Sequence, residues 1–552
     1  MSIILAEGSG VGNVRQRWNF GFVTATLIAF IFIFPIASIV WLSFSVETVQ
    51  WRHLMSTVLP RYFTNSLVLM VGVGFLSLFL GTSLAYLVAN IKFPGAKFIK
   101  YALFLPLTMP SFIAAYAWVE LLEYAGPLQT SLRATMGWTS ARDYWFPDIR
   151  SRFGAILVLS FALYPYVYLL ARSAFRELPS SGHDVARSLG LGHVRQFWRI
   201  SLPQARPAIA AGTAIVMMET LNDFGTVDFF AVQTLTTGIF SLWLESYNTG
   251  GAAQLALFAV VIVAALLFLE RLGRRNARFN KSGRQLARVK PQRVSNLMSS
   301  FALLFCLVPI FIGFIIPLFV LVRPALNDIN LWTDTELWRA AGHSLLLGFV
   351  SATLVVSLSM IMVLGLKDNK TLLGKYIPTV STLGYAFPGA VLGLGILIPL
   401  ATLDNWAADK IYLMTAVDPG LLLTGTAAAL VIAYCVRFFA IGVGASEAGL
   451  ATISPSIPHV AQSLGLGRSS LIWRIYQPLM RGSLASAMVL VFVDTIKELP
   501  ATLLLRPFNF ETLSTHTYGQ ATLENFNATA PPALLMIGLS FGAIIVLAKA
   551  NR

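Results

Sequence analysis

The sequence predicts an all-α membrane protein of about twelve transmembrane helices, arranged as two parallel repeats of six helices. Three observations favour this fold class. Hydrophobic residues make up 56% of the 552 positions and charged residues only 12%, a composition too apolar for a soluble globular chain. Twelve stretches approach the roughly 20 apolar residues that a membrane-spanning helix needs. A segment of 22 residues also occurs twice, which indicates a duplicated chain.

Each half of the chain contains six of the apolar stretches. They lie near residues 20–44, 62–90, 98–122, 153–171, 207–228, 253–271, 297–322, 341–366, 377–403, 419–440, 483–505 and 531–549. Since six crossings return the chain to its starting side, the halves should share one orientation, related by an axis along the membrane normal. The predicted division is a first membrane half at 1–270, a basic cytoplasmic linker at 271–296 and a second membrane half at 297–552.

Positive charge is unevenly distributed along the chain. The tract from Arg271 to Arg293 holds nine Lys and Arg and no acidic residue, whereas the segment from Gly225 to Gly251 holds no Lys or Arg. Cytoplasmic loops of membrane proteins are enriched in Lys and Arg, so both termini and this tract are predicted to be cytoplasmic. Contact with the lipid surface explains the net charge of +15, and no nucleic-acid partner is expected.

The duplicated segment runs from Val185 to Arg206 and again from Val460 to Arg481. Twelve of its 22 positions are identical. Both copies lie between strongly apolar stretches, yet each is polar enough to lie in water. Each copy also contains a glycine, Gly190 or Gly465, at which a left-handed residue would end a short helix. A matching pair of soluble loops in a membrane protein indicates a partner that binds both.

The second part of each loop is expected to form another short helix. In the first copy this helix spans 193–201 and stops at Pro203, because proline lacks the N–H that a helix interior requires. Pro478 should end the corresponding helix in the later copy. Two short helices bent at a glycine would form a compact knob at the cytoplasmic surface.

Smaller correspondences support the same duplication. The pair Asn65–Ser66 at the start of the second apolar stretch corresponds to His343–Ser344 in the other half. Pro110 likewise corresponds roughly to Pro388. The two halves are therefore expected to share their local structure as well as their number of helices.

A polar helix follows each duplicated loop. It carries Glu219 and Asp223 in the first half, and at the same 275-residue offset Asp494 and Glu498 in the second. Each pair is spaced i, i+4, which places both carboxylates on one helix face. A carboxylate inside a bilayer is costly unless it faces a wet cavity or a partner. Four of them around one axis would form an oxygen-rich translocation pathway suited to transient contact with a hard metal cation.

The same residues allow a second interpretation, in which they gate the pathway or link helices by salt bridges. Lys497 follows Asp494 by three residues and could neutralise it. Pro500 could break the helix and so place Glu498 at its end. The sequence alone leaves both interpretations open.

Motifs of the common nucleotide-binding and hydrolytic sites are absent from the sequence. The chain contains no G-x-x-x-x-G-K-[ST], no H-E-x-x-H and no G-x-S-x-G, the patterns of phosphate-binding loops, zinc proteases and serine hydrolases. The chain is therefore not expected to be an enzyme or to bind a cofactor. Energy for transport would come from another subunit or from an ion gradient.

The duplicated loops resemble the EAA loop of ABC importer permeases, whose pattern is E-A-A, three residues, glycine, nine residues and I-x-L-P. The first copy fits it with Asp184, Val185, Ala186, Gly190, Ile200 and Pro203. The second copy fits it with His459, Ala461, Gly465, Ile475 and Pro478. In that family a dimer of cytoplasmic ATP-binding subunits grips these loops. The resemblance therefore implies that these residues couple ATP hydrolysis to transport, with ATP and magnesium bound by the partner.

Two further runs resemble the fused permease of bacterial ferric iron ABC importers. One is M-E-T-L-N-D-F-G-T-V-D-F-F from Met218 to Phe230, and the other is K-E-L-P-A-T-L-L-L-R-P-F-N-F-E-T-L from Lys497 to Leu513. The resemblance covers nearly the whole chain. It implies the type I importer permease fold, a location in the bacterial inner membrane, and a periplasmic iron-binding protein that delivers Fe³⁺. A thiamine or other organic-cation ABC permease and an ion-coupled secondary carrier are the alternatives.

Overall fold

The computed structural model describes residues 20–44, 52, 55–178, 185, 188, 190, 192–275, 291–367, 369, 371–454 and 456–550, and this part of the chain is almost entirely helical. The helices of the first half are α1 Phe20–Phe44, α2 Leu59–Asn90, α3 Ala96–Ala102, α4 Ser111–Leu122, α5 Pro127–Met136, α6 Arg152–Glu177, α7 His193–Gln196, α8 Leu202–Asn222, α9 Gly225–Phe229, α10 Leu235–Phe240 and α11 Thr249–Arg275. A 3₁₀ turn at Leu105–Thr108 and π turns at Phe197–Ser201 and Ser241–Glu245 connect some of them.

The second half repeats this order of elements. Its helices are α12 Asn296–Ile310, α13 Ile316–Asn327, α14 Thr335–Leu366, α15 Leu372–Ser381, α16 Gly389–Thr415, α17 Ala427–Ala451, α18 Ser456–Ser463, α19 Arg468–Leu471, α20 Gln477–Lys497, α21 Pro500–Leu505, α22 Leu513–Thr522 and α23 Phe526–Ala550. Here 3₁₀ turns lie at Ile329–Thr333 and Leu383–Ala386, and π turns at Phe311–Ile315 and Ile472–Tyr476. The predicted fold class, an all-α membrane protein built from two parallel repeats, is confirmed.

Three helices form the centre of each half. They are α2, α6 and α8 in the first half and α14, α17 and α20 in the second, and in each set every helix contacts the other two. Small residues permit this close packing. A β-carbon at Gly81 of α2 would collide with Val167 of α6, and one at Gly212 of α8 would collide with the backbone of the same valine.

The first helix of each half packs against the opposite half. Helix α1 contacts α14 and α16, while α13 contacts α4 as well as α23. Gly21 of α1 approaches Gly365 of α14 so closely that neither position has room for a β-carbon. The halves are therefore joined by exchanged helices as well as by the chain between them.

Within the described residues, ten helices are long and apolar enough to cross a bilayer, and the bent pair α3–α4 brings the number to eleven. Helix α8, which carries Arg206 and Glu219, is not among the ten, although its counterpart in the second half is. The predicted six crossings in each half would require α8 to be the sixth crossing of the first half, and this count remains a prediction.

Two predicted spans, 98–122 and 377–403, are not continuous helices. The first is bent by 88° between its two parts. Pro110 and Pro388 have extended backbone conformations and stand immediately before α4 and α16. Both are preceded by a short 3₁₀ turn. Proline interrupts the helix at the same place in both halves because it lacks an N–H and disfavours a helical residue before it.

Two short strands connect the start of the second half to the first. Residues Ile91–Lys92 pair in parallel with Gln292–Arg293. Helix α11 continues to Arg275, five residues beyond the predicted end of the first half. The remainder of the predicted linker, at 276–290, lies outside the described residues.

Two polar interactions join the halves near the starts of α6 and α23, a region here called the closed end. There Arg150, just before α6, pairs with Glu524, just before α23, at 3.2 Å. The hydroxyl of Tyr518 on α22 donates a hydrogen bond of 2.6 Å to Asp228 on α9. Helices α6 and α20 each run between this end and a duplicated loop, so both loops lie at the opposite end, here called the loop end.

Candidate functional site

A cavity of about 410 Å³ lies between the two halves, beside the C-terminal parts of α8 and α20. It is lined by all five residues predicted for a pathway, which are Glu219, Asp223, Asp494, Lys497 and Glu498. Residues of α6, α17 and the breaks at Pro110 and Pro388 complete the wall. The structure thus brings the polar parts of the two halves together around a single cavity.

Asp223 serves as a cap for the helix that follows it. Helix α8 ends at Asn222, and the Asp223 carboxylate accepts hydrogen bonds from the backbone N–H groups of Thr226 and Val227, in the first turn of α9, at 2.9 and 3.2 Å. The hydroxyls of Thr226 and Ser111 donate to its other oxygen at 2.9 and 2.5 Å. These bonds satisfy donors that the start of a helix leaves unpaired.

Glu498 makes the same arrangement in the second half. Helix α20 ends at Lys497, and the carboxylate of Glu498 accepts from the backbone N–H groups of Ala501 and Thr502 in α21, each at 3.0 Å. The Thr502 hydroxyl adds a bond of 2.7 Å. The sequence-based expectation that Glu498 lies at a helix end next to Pro500 therefore agrees with the geometry.

Glu219 and Asp494 lie one turn deeper and belong to the cavity itself. Glu219 is hydrogen-bonded to Tyr385 and interacts electrostatically with Asp494 and Arg437. Asp494 in turn interacts with Lys497 and Arg437. Unlike Asp223 and Glu498, these two carboxylates cap no helix.

Lys497 connects the two halves. Its ammonium group donates a hydrogen bond of 2.5 Å to the backbone carbonyl of Leu107, in the 3₁₀ turn before Pro110. It also interacts electrostatically with Asp494 on its own helix. The lysine thus lies where it can partly neutralise Asp494, as the second interpretation of the sequence expects, and it also links α20 to the 3₁₀ turn of the first half.

The four carboxylates predicted as transient metal ligands do not form one metal site. In the part of the chain that the structure describes, no group of three or more His, Cys, Asp and Glu is placed to hold a metal ion. The reason is that Asp223 and Glu498 turn toward the helices they cap. Transient contact of Glu219 and Asp494 with a passing cation remains a prediction.

Three cavity residues were missed by the sequence reasoning: Arg437 of α17, Tyr385 before α16 and Tyr166 of α6. Arg437 had a visible signal, since it is the one charged residue in the predicted span at 419–440, and a charge within a span indicates a functional residue. The tyrosines had none. Asn222 also lines the cavity, and neither polar atom of its buried amide has a hydrogen-bond partner among the described residues.

The glycines of both duplicated loops have left-handed backbone conformations. Gly190 has φ of +73° and Gly465 has φ of +84°. In the second copy, α18 ends just before Gly465, where the N–H of Leu466 bonds to the carbonyl of Ala461. Of the predicted coupling residues, Asp184 and Ala186 lie outside the described residues.

The prediction that the second loop helix stops at Pro203 is wrong. Helix α7 continues through a π turn into α8, with Pro203 in the first turn of α8. The N–H of Leu202 bonds to the carbonyl of Phe197, five residues back, so the wider turn accommodates the proline. The second copy is built identically, with Pro478 in the first turn of α20.

The exposed surfaces of the two loops match at most of the positions that can be compared in the described residues. Val185 and Val460 are both 59% exposed, and Trp198 and Trp473 are both 62% exposed. His459, Pro203 and Pro478 are exposed, Ile200 and Ile475 are half-buried, and Ala461 is buried. Two loops from distant parts of the chain thus present the same apolar and basic side chains at the loop end.

Comparisons with known proteins agree with this arrangement. Residues 77–278 match the family described as binding-protein-dependent transport system inner membrane component. The chain is 26% identical over 528 residues to the Fe(3+)-transport system permease protein FbpB 2 of Haemophilus influenzae, with 95% of each chain covered. The chain thus resembles an ABC importer permease over nearly its whole length.

Other relatives correspond to one part of the chain. The molybdenum transport system permease protein ModB of Escherichia coli is 27% identical over 205 residues, which are 36% of this chain and 86% of ModB. The sulfate transport system permease protein CysT of Salmonella typhimurium is 23% identical over 211 residues, which are 36% of this chain and 70% of CysT. The predicted resemblance to a fused permease of two halves is confirmed. The description of the matching family names an inner membrane component that depends on a binding protein.

Proposed function

We propose that this permease moves ferric iron across the inner membrane, from a periplasmic iron-binding protein to the cytoplasm. The observation that carries the proposal is the match to the Fe(3+)-transport permease of Haemophilus influenzae, because it covers 95% of both chains and so includes both halves. The molybdenum and sulfate permeases match only 36% of this chain.

The charge of the cavity supports a cationic cargo. Four carboxylates line it, against the two positive groups of Arg437 and Lys497. An oxyanion such as molybdate or sulfate would meet a net negative wall in a poorly hydrated space, where like charges repel strongly. A hard trivalent cation would meet the oxygen ligands that it prefers. Glu219 and Asp494 are the residues proposed to contact it.

The matched loop surfaces support a grip by a pair of identical ATP-binding subunits. A two-fold symmetric dimer needs the same contact twice, and the exposed Trp198 and Trp473 supply it, together with Arg199 and Arg474. Aromatic and arginine side chains are enriched at the energetic centres of interfaces. The full coupling set comprises Asp184, Val185, Ala186, Gly190, Ile200, Pro203, His459, Ala461, Gly465, Ile475 and Pro478.

This proposal fixes the orientation of the permease in the membrane. If the loop end faces the cytoplasm, both termini are cytoplasmic and the closed end faces the periplasm. The pairs Arg150–Glu524 and Tyr518–Asp228 would then close the outer side of the cavity. Closure of the ATPase dimer on the loops would shift the population toward a form with these contacts broken.

Reconstitution in lipid vesicles tests the proposal. Vesicles containing the permease and its ATPase would receive radiolabelled ferric iron, molybdate, sulfate or thiamine, each on a matching binding protein. ATP-dependent uptake of iron alone is expected. ATP-dependent uptake of molybdate, sulfate or thiamine without iron would refute the choice of cargo, and uptake driven by a pH gradient without ATP would indicate a secondary carrier. Vesicles without the ATPase are the matched control.

A further inference from the structure

A second cavity lies at the closed end and is formed by residues of the first half. It measures about 360 Å³ and lies between the starts of α2 and α6 and the segment that joins α9 to α10. Three arginines line it: Arg61, Arg150 and Arg152. Phe230 and Val232, both buried, contribute apolar wall, and no Asp or Glu is among the described residues that line the cavity. This cavity is here called the arginine pocket.

Only one of the three arginines is paired with carboxylates. The Nε of Arg150 lies 2.9 Å from Oε1 of Glu123, and its Nη2 lies 3.2 Å from Oε1 of Glu524. Within the described residues, Arg61 and Arg152 form no ion pair with a carboxylate. The pocket therefore contains two positive charges that the protein itself leaves uncompensated.

Asn65 of α2 fixes part of the pocket's geometry. Its amide nitrogen donates a hydrogen bond of 2.8 Å to the backbone carbonyl of Gln233. Its amide oxygen accepts one of 3.4 Å from Nη1 of Arg152, which positions that guanidinium without neutralising it. Arg152 is also the first residue of α6, a helix of 26 residues, and the N-terminal end of a helix carries partial positive charge. The pocket thus combines a helix terminus with its unpaired arginines.

The second half compensates the corresponding charge. Arg339 of α14, 278 residues after Arg61, pairs with Glu336 at 2.9 Å. The first half has Val58 at the position of Glu336, so Arg61 lacks that partner. The arginine at the start of α6 is replaced by Ala427 at the start of α17. The two unpaired charges are therefore features of the first half that the duplication does not explain.

The segment beside the pocket is also shorter in the first half. The offset between equivalent residues is 275 at the capping carboxylates and 278 at Leu235 and Leu513, so the second half has three more residues here. His343 occupies the position of Asn65. The ring of Phe510, in the longer segment, stacks on the His343 ring with the ring centroids 4.0 Å apart. An aromatic side chain thus occupies the space that the first half leaves open.

We propose that the arginine pocket binds a phosphate group, either inorganic phosphate or the phosphomonoester headgroup of a lipid. Guanidinium groups present paired N–H donors that match the oxygens of a phosphate. Such a phosphate carries a charge of about −1.5 to −2 at neutral pH, which nearly balances the two charges of Arg61 and Arg152. A carboxylate carries only one negative charge, and a cation would be repelled. The inference does not depend on the cargo proposed above.

Calorimetric titration of the full chain with inorganic phosphate tests the proposal, in nanodiscs of zwitterionic phosphatidylcholine at low ionic strength. Saturable binding to one site is expected. The double variant Arg61→Gln/Arg152→Gln should bind phosphate at least about tenfold more weakly, because hydrogen bonds to charged groups are stronger than neutral ones. Arg339→Gln, at the position equivalent to Arg61, is the matched control and should bind as the wild type does. Absence of saturable binding, or an equal loss in the control, would overturn the proposal.

A second pair of variants keeps all three arginines and so decides the proposal even if the double variant fails to fold. Val58→Glu gives Arg61 the carboxylate that Glu336 gives Arg339. It should weaken phosphate binding by about threefold or more, because the added carboxylate pairs with Arg61 and repels the phosphate. Val58→Gln is the uncharged control and should bind as the wild type does. Equal affinities of the two variants would contradict the assignment.

Two further measurements identify the ligand. In nanodiscs that contain phosphatidic acid, native mass spectrometry should show one such lipid retained by the wild type and lost from Arg61→Gln/Arg152→Gln if the headgroup is the source. Equal retention, with the calorimetric difference unchanged, would assign the pocket to dissolved phosphate. Acetate should bind at least about tenfold more weakly than phosphate because it carries a single charge. Acetate binding as tight as that of phosphate would assign the pocket to carboxylates, such as acidic side chains of a partner protein, and overturn the proposal.

Discussion

The two halves are most alike at their loops and least alike at the cavity. In the loops, Trp198 and Trp473 have the same exposure and Gly190 and Gly465 the same left-handed turn. In the cavity, Asn222 of the first half stands where the second half has Lys497, and Ala162 where it has Arg437. The duplicated structure is thus retained in one region and modified in the other.

The proposed function gives a reason for this difference. A symmetric ATPase dimer would present two equal surfaces, so both loops would have to fit the same contact. A single cargo on the axis between the halves would contact each wall once, and nothing would require the two walls to be equal. Fusing the halves in one chain allows the walls to diverge while the loops stay matched.

The largest expected effect is at the loops. The double variant Arg199→Glu/Arg474→Glu should lower iron uptake by roughly thirtyfold or more, the loss expected when residues at the centre of an interface are disrupted. Basal ATP hydrolysis by the partner should continue, so the two activities become uncoupled. Uptake and hydrolysis measured on the same vesicles check this.

The single variants at these positions test the equality of the loops. Arg199→Glu and Arg474→Glu should reduce uptake to the same extent, and Arg199→Lys/Arg474→Lys serves as the charge-retaining control. Strongly unequal losses of uptake in the two single variants would show that the ATPase contacts the two loops differently. Unchanged uptake in the double variant would remove these arginines from the coupling surface.

The next largest effect is expected at the cavity, where the halves should differ. Glu219→Gln should lower iron uptake by roughly tenfold or more, because one carboxylate contributes a few kcal/mol to binding a cation at close range. Asp494→Asn should lower iron uptake by a smaller factor, since Lys497 already neutralises part of the Asp494 charge. Initial uptake rates at several iron concentrations give the comparison. Equal losses would mean that Lys497 serves only as a link to Leu107.

Much of the fold could be predicted from the sequence because the duplication repeats every signal. The carboxylates at 219, 223, 494 and 498 were placed on one cavity by their offset and their i, i+4 spacing alone. The breaks at Pro110 and Pro388 were not predicted, although both prolines were noticed. Hydropathy averages over about 20 residues, so a sharp bend within an apolar stretch leaves no trace in it.

The distinct roles of the four carboxylates could not be predicted from spacing. Asp223 and Glu498 differ from Glu219 and Asp494 because a short helix starts just after each of them, and this depends on where α8 and α20 end. The contact between Arg437 and Glu498 could not be predicted either. It joins two residues that are 61 positions apart in sequence and requires the space left by Gly389.

Replacing either of two buried serines should lower the stability of the protein, by a smaller amount that is the same in both halves. The Ser66 hydroxyl oxygen accepts from the N–H of Leu235 at 2.9 Å, and that of Ser344 accepts from Leu513 at 2.7 Å. Replacing either serine by alanine leaves a buried N–H without a partner, which costs about 1–3 kcal/mol. Unfolding in detergent would measure both losses. Thr353→Ala, at an exposed position of α14, is the matched control and should be nearly neutral.

The smallest effect is expected in the connecting loops, where each half uses an aspartate to hold a turn. Asp404 in the second half is buried and accepts from the N–H groups of Leu423 and Thr424. Asp143 in the first half is exposed and accepts from those of Ser140 and Thr139 at 2.8 Å. These backbone hydrogen bonds lower the pKa of Asp143 below its ordinary value.

The folded turn favours the charged form of the Asp143 carboxylate. Asp143 therefore stabilises the turn fully above the ordinary aspartate pKa of about 4. This stabilisation is lost as the pH falls through the lower pKa of the folded state. In Asp143→Ala, amide hydrogens at 139 and 140 should exchange faster than in the wild type at neutral pH. At acidic pH, the ratio of the exchange rate in Asp143→Ala to that in the wild type should fall toward one. Asp148→Ala, in the same loop, should leave these amides unchanged, and a ratio independent of pH would show that the charge of Asp143 does not hold the turn.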